Sequence, residues 1–179
     1  MSLDHTLSSR MYQITKDSWF LRPLAIFCAT SLLFMMIAVV LFSCSPVDCD
    51  VGLVQTVQGH AMMLGVPLFL TWLVTVGLQK LVKRHRPFDQ GNGVPLIQMV
   101  WKEPSFPSAH AAIAFATAAV SFINSTDLFG PWLFVAALAV AISRVAVGVH
   151  YLSDVVMGAM IGFVIGSASW YGLMWLVFM

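Results

Sequence analysis

Residues 131–179 read PWLFVAALAVAISRVAVGVHYLSDVVMGAMIGFVIGSASWYGLMWLVFM, and Arg144 and Asp154 are the only Asp, Glu, Lys or Arg in the whole stretch. Two apolar runs therefore flank one polar insert, SRVAVGVHYLSD (143–154). Crossing a ~30 Å hydrocarbon core takes roughly twenty apolar residues. The runs predict two transmembrane helices, Pro131 to about Val149 and Leu152 to Met179, with the insert at one membrane face. Working outward, Pro23–Phe42, Val51–Gln79 and Pro107–Asn124 read the same way, and the first of these carries no charge. The expected fold class is all-α: a polytopic bundle of about five spans, a single domain over residues 1–179.

Composition points the same way. Of 179 residues, 59% are hydrophobic and 9% charged, with a mean hydropathy of +0.87. A water-soluble surface needs far more charge than that. A net charge of +1 suggests no nucleic-acid partner, so membrane lipids are the expected surroundings. The first twenty residues carry Asp4, Arg10, Lys16 and Asp17 and do not read as a secretory signal. Residues 5–20 read either as an interfacial amphipathic helix or as a mobile terminus. Cys44 and Cys49 flank a short loop, placed either to pair in an oxidising compartment or to stay as two thiols. Ser125–Gly130 is a short turn, with Pro131 suited to the first position of the next helix. Gly158, Gly162 and Gly166 recur every four residues, a smooth stripe for close helix packing within the bundle or, less favoured, between copies.

Five spans place all nine Lys and Arg at one membrane face: Arg10, Lys16, Arg22, Lys80, Lys83, Arg84, Arg86, Lys102 and Arg144. Three polar stretches converge there, KLVKRHRPF (80–88), SFPSAH (105–110) and SRVAVGVHYLSD (143–154). Arg86 and Arg144 offer planar forks that match phosphate oxygens. Ser108 follows Pro107 at a helix start, where free amides and the dipole favour an anion. His110 and His150 join them, and Asp154 lies one helical turn beyond His150, an orienting acid for a nucleophile or base. Any one piece has a bland explanation, a topology signal or a helix cap. Together they point to a phosphate site.

The same three stretches resemble the signature of the type-2 phosphatidic acid phosphatase superfamily: Lys, six residues, Arg-Pro; Pro-Ser-Gly-His; Ser-Arg, five residues, His, three residues, Asp. Ser143, Arg144, His150 and Asp154 match the third block throughout. Pro107, Ser108 and His110 match the second, with Ala109 in the glycine position. Arg86 and Pro87 match the first, but Gln79 stands at the lysine position, with Lys80 next to it. The stretches also resemble the undecaprenyl pyrophosphate phosphatases of the bacitracin-resistance type.

The resemblance implies hydrolysis of a lipid phosphate or pyrophosphate through a phosphohistidine on His150, with Asp154 accepting a hydrogen bond from its Nδ1. It implies His110 as general acid, and Arg86, Arg144, Ser108, Ala109 and Lys80 around the phosphate. No metal or other cofactor is expected. A zinc site built from His110, His150 and Asp154 is the disfavoured rival, since the arginines would repel a cation. His60, inside a span, is read as a polar cap within the bundle. A lipid-phosphate binder or transporter is the reading from another class, needing only the arginines. The charge count favours a cytoplasmic site. The resemblance implies a periplasmic one on a bacterial inner membrane, and that is the expectation adopted. The oligomeric state is left open.

Overall fold

The computed structural model describes residues 3–42, 53–90, 94–98, 104–124 and 129–179. Its helices are α1 (Leu3–Asp17), α2 (Leu21–Thr30), α3 (Leu32–Phe42), α4 (Leu53–Val82), α5 (Ala109–Asn124), α6 (Phe129–Ala146) and α7 (Leu152–Phe178), with a 3-10 turn at Pro87–Gln90. No strand occurs among the described residues. The Cys44–Cys49 loop, Lys102 and most of the Ser125–Gly130 turn lie outside them.

The core is built on α5 and α7, the most extensive helix pair. Their contact is made by small residues. A Cβ added at Gly158 or Gly162 would collide with the Ser108 or Ala112 carbonyl, and one at Gly166 would lie 2.9 Å from the Ala116 Cα. The glycine stripe therefore serves packing inside the bundle, backbone against backbone. Around this seam Leu33, Met36, Val40, Leu64, Val120, Val140 and Trp170 form the main apolar cluster. Outward, Phe34, Phe69, Trp132, Val164 and Trp175 are each more than half exposed. An outer surface of large apolar side chains is one that lipid, not water, solvates.

Several expected boundaries move. Pro23–Phe42, read as one span, is broken into α2 and α3 with a 50° bend. Neither Pro nor Gly marks the break. Thr30 turns its hydroxyl back onto the Ile26 carbonyl at 2.7 Å, and the Arg144 guanidinium takes the Ala29 carbonyl at 2.9 Å. Side-chain capture of backbone groups bends helices in this way. Helix α5 starts at Ala109, two residues after Pro107, and α6 starts at Phe129, two before Pro131, which its first turn tolerates. Helix α6 ends at Ala146 rather than about Val149, and α4 runs on to Val82. Helices α4 and α7 are each long and apolar enough to cross a membrane, and the bent α2–α3 pair makes a third candidate. Helices α5 and α6 are apolar and shorter, 16 and 18 residues.

The N-terminal segment is helical. Helix α1 packs on α2, α6 and α7, burying Ser8, Tyr12 and Thr15 while Leu3 and Ile14 face outward. Its inner face is thus one of hydroxyl side chains, while Arg10, Lys16 and Asp17 stay exposed. His60 meets the Leu41 carbonyl at 3.5 Å, at the bundle end away from the signature stretches.

Candidate active site

The turn after α6 creates the site. Gly148 adopts φ +82°, a left-handed conformation that glycine enters at little cost. A side chain there would also meet the Tyr12 ring, 2.8 Å from its Cδ2. Gly148 N–H donates to the Val145 carbonyl at 2.9 Å, and the amides of Val149 and His150 reach the Arg144 carbonyl at 3.3 Å. This closes the helix end and delivers His150 to the interior.

His150 is 2% exposed, and its Nδ1 lies 2.8 Å from the Ser105 carbonyl. A carbonyl only accepts, so Nδ1 carries the proton and, in the neutral ring, Nε2 keeps its lone pair. The sequence expectation gave that duty to Asp154. Its Oδ2 stands 3.6 Å from Nδ1, beyond a hydrogen bond, and instead accepts the Tyr151 amide at 2.8 Å. The tautomer is the expected one, set by a different acceptor. Ser105 is fixed in turn, its N–H on the Arg84 carbonyl at 2.8 Å and its hydroxyl on the His85 carbonyl at 3.3 Å.

The other signature residues gather around this turn. Ser108 is fully buried just before α5. Its amide donates to the Asp154 carbonyl at 3.0 Å, and its hydroxyl has no partner among the described residues. Ala109 opens the helix and His110 follows in its first turn, with Arg144, His150 and Arg86 as its electrostatic neighbours. Arg86 is 4% exposed and donates from Nη1 to the Val149 carbonyl at 3.2 Å. Arg144 is 3% exposed, with Nη1 on Ala29 and an Nε that meets no acceptor among the described residues. Burial pulls the His150 imidazole down to about 4, with Arg144 and Arg86 adding to the shift and Asp154 opposing it. A buried histidine and a half-buried one beside two buried arginines, with the Arg144 Nε and the Ser108 hydroxyl unpartnered among the described residues, make a polar cluster whose donors suit an anion.

The lysine question divides. Gln79 is buried and donates its amide to the Pro107 carbonyl at 2.9 Å, bracing the start of the second block. Lys80 is exposed and lines an open cavity of about 360 Å³ with Lys83, Arg84, His85 and Arg86. It thus shares a cavity wall with Arg86.

Sequence reasoning gave Arg84 no role beyond its place in the basic stretch 80–88. It bonds Asp154 Oδ1 at 2.6 Å and Asp4 Oδ2 at 2.7 Å, its guanidinium 4.2 Å from the Tyr151 ring centroid. Asp4, Ser8 and Ser105 were missed as well. The one available signal was a second arginine two residues before Arg86. Among the described residues no three His, Cys, Asp or Glu side chains are grouped as metal ligands, and the site carboxylate is committed to Arg84.

Known proteins resemble this chain in sequence and in fold. The chain is 35% identical over 109 residues, 59% of its length, to a decaprenylphosphoryl-5-phosphoribose phosphatase of Mycobacterium tuberculosis, covering 57% of that protein. It is 29% identical over 103 residues, 55% of its length, to an undecaprenyl-diphosphatase of Sulfolobus acidocaldarius, covering 50% of it. The match thus spans little more than half of either relative. The fold is that of Aquifex aeolicus LpxE, with a TM-score of 0.66 at 23% identity over 94% of this chain and 95% of that one. It is equally that of a Bacillus subtilis PAP2-type phosphatidylglycerolphosphate phosphatase, with a TM-score of 0.66 at 21% identity over 95% and 83%. Residues 60–177, which contain His110, Arg144, His150 and Asp154, match the PAP2 superfamily, and the chain belongs to it.

Proposed function

We propose that this protein is a membrane phosphatase that removes a phosphate from a lipid pyrophosphate or phosphate, with undecaprenyl pyrophosphate the favoured substrate. The observation that carries the reading is the tautomer of His150: a proton held on Nδ1 by Ser105 leaves the Nε2 lone pair for phosphorus, among buried arginines.

In the first step the Nε2–P bond forms as the P–O bond to the leaving group breaks, and His110 gives that oxygen a proton. In the second, water attacks phosphorus, the N–P bond breaks, and His110 takes the water's proton. Arg86, Arg144, the Ser108 hydroxyl and the first α5 amides, Ala109 among them, hold the phosphate oxygens, whose charge spreads in the transition state. Lys80 adds positive charge at the rim. Asp154, as a fixed negative charge near Nδ1, favours the cationic ring of the phosphohistidine. No metal enters the scheme. Five membrane crossings, α2–α3 counted as one, put the site at a single face, and we assign that face to the periplasm of a bacterial inner membrane.

A second reading, a monophosphatase acting on a decorated polyprenyl phosphate, is favoured by the 35% identity to the mycobacterial protein. Phosphate release from purified protein in detergent decides between them, using polyprenyl diphosphate, polyprenyl monophosphate, phosphatidylglycerophosphate, phosphatidic acid and a lipid A phosphate. The diphosphate should turn over fastest. His150→Ala should lose at least ~10³-fold in kcat, since the covalent acceptor is gone. A variant that keeps a substantial fraction of turnover removes His150 as nucleophile. Binding without release by the wild type would leave a lipid-phosphate binder.

A further inference from the structure

Helix α7 begins at Leu152 with its first amides in need of acceptors, as every helix does. They find them on another helix. Leu152 N–H donates to Ser8 Oγ at 2.9 Å and Ser153 N–H to Asp4 Oδ1 at 3.0 Å, both on α1. Capping normally comes from the residue just before the helix. Here the third acceptor needed, for Tyr151 N–H, is Asp154 itself.

The same residues close a charged network. The two terminal nitrogens of Arg84 are split between two carboxylates, Nη1 to Asp154 Oδ1 at 2.6 Å and Nη2 to Asp4 Oδ2 at 2.7 Å. Ser153 Oγ bridges them, accepting from Arg84 Nη1 at 2.6 Å and donating to Asp4 Oδ2 at 2.5 Å. Asp154 is fully buried, whereas the Asp4 and Arg84 side chains are 22% and 30% exposed. The Asp154 carboxylate is held by one backbone amide and one guanidinium, so its second oxygen takes its orientation from whatever holds that guanidinium. Two turns further along the same face of α1, Tyr12 donates to the Val94 carbonyl at 2.6 Å and lies against Gly148, in the turn that presents His150.

We propose that Arg84 and Asp4 are positioning residues for the reaction: a clasp that fixes the Asp154 carboxylate beside the His150 ring and makes the first helix part of the active site. The inference rests on the phosphatase reading for its kinetic consequence, though not for its geometry. Arg84 fixes one oxygen of Asp154 and leaves the other at 3.6 Å from Nδ1, where Asp154 acts on the ring as a charge while Ser105 keeps the hydrogen bond. Asp4 shares Arg84 with Asp154 and so stops the guanidinium from settling wholly on the site carboxylate. The partial exposure of the clasp does not make it a surface ion pair of negligible worth, because one of its members is fully buried.

The experiment compares the full-length wild type with Asp4→Asn, Arg84→Met and the double variant. The substrate is whichever lipid phosphate the wild type turns over fastest, and rates are taken per folded protein below each variant's melting temperature. Asp4→Asn, nearly isosteric, should lower kcat about tenfold with KM changed less than about twofold. The double variant should be no slower than Arg84→Met alone, the non-additivity of two residues acting through one path. Asp4→Glu should recover much of the loss. An Asp4→Asn protein with wild-type kcat, a loss confined to KM, or losses that multiply in the double variant each overturn the clasp. Imidazole ¹⁵N shifts of His150 read the positioning without turnover. They should move in Asp4→Asn, and an unmoved Nδ1 signal overturns the clasp even if the protein hydrolyses no lipid phosphate, an outcome that would count separately against the phosphatase.

Discussion

Arg84 and Arg144 sit in two regions of one polar end, and they are held in opposite ways. Around Arg84 the polar groups satisfy one another: two carboxylates, a serine hydroxyl and a tyrosine face absorb the guanidinium. Hydrogen bonds from Ser153 and Arg84 hold Asp4 below the usual carboxylate range against the opposing effect of its burial, and those carboxylates raise Arg84 despite its own desolvation. Arg144 has one backbone carbonyl on Nη1 and a bare Nε, with Arg86 and His110 as electrostatic neighbours, and at the start of α5 the Ser108 hydroxyl is likewise without a partner among the described residues. A closed cluster fixes geometry and has little left for a ligand. An open one, buried among donors, is built to be completed by an anion. Basic residues that a sequence presents as one patch are thereby sorted into structural and ligand-facing ones.

The sharpest way to break that distinction is Arg144→Lys. A lysine keeps the charge and loses the fork, so it can serve the Ala29 carbonyl or a phosphate oxygen but not both. We expect kcat/KM to fall about 10²-fold, the usual loss for one transition-state donor. A loss under about threefold in steady-state assays would show that Arg144 braces the α2–α3 bend and little else.

Ser108→Ala is the next test. Its hydroxyl has no partner among the described residues, so thermal unfolding in detergent should be unchanged, while kcat falls about tenfold for one neutral hydrogen bond to a charged state. A stability loss without a rate loss would move Ser108 from the open region to the closed one.

The smallest effect expected is a shift along the pH axis. Burial, Arg144 and Arg86 all disfavour the protonated His150 ring, and its value of about 4 lies below the ordinary 6.5. As pH falls, the nucleophile therefore stays neutral through 6.5 and is lost only towards 4. The acid limb of kcat/KM should lie below pH 5. In Asp154→Asn, which removes the opposing negative charge, it should move lower still on what activity is left. An acid limb near 6.5 would mean that the free site is wetter than its packing implies.

The block SRVAVGVHYLSD announced the turn between α6 and α7, because a polar insert between two apolar runs has nowhere to sit except a membrane face. The glycine stripe of α7 announced a close helix neighbour for a similar local reason. The α2–α3 break was not legible, since one of the groups that capture its carbonyls, Arg144, stands 115 residues from Ala29. Nor was the partner of His150 Nδ1. Spacing brings Asp154 within one turn of the histidine, but the Ser105 carbonyl that takes the proton arrives from another loop.

The sequence by itself determined the solvent, the all-helical class and the family, and it offered His110, Arg144, His150 and Asp154 as the candidate roster, since apolar runs and motif spacing are local properties of a chain. Only the tertiary structure decided how that roster is held. It buried Ser8, Tyr12 and Thr15 of α1 against the bundle, gave α7 its caps from Asp4 and Ser8, spent Arg84 on two carboxylates and left the Arg144 Nε without an acceptor among the described residues. The reason is physical: a charge buried in a low-dielectric bundle takes whichever opposite charge or backbone group packing brings within about 3 Å, and sequence separation has no bearing on which one that is.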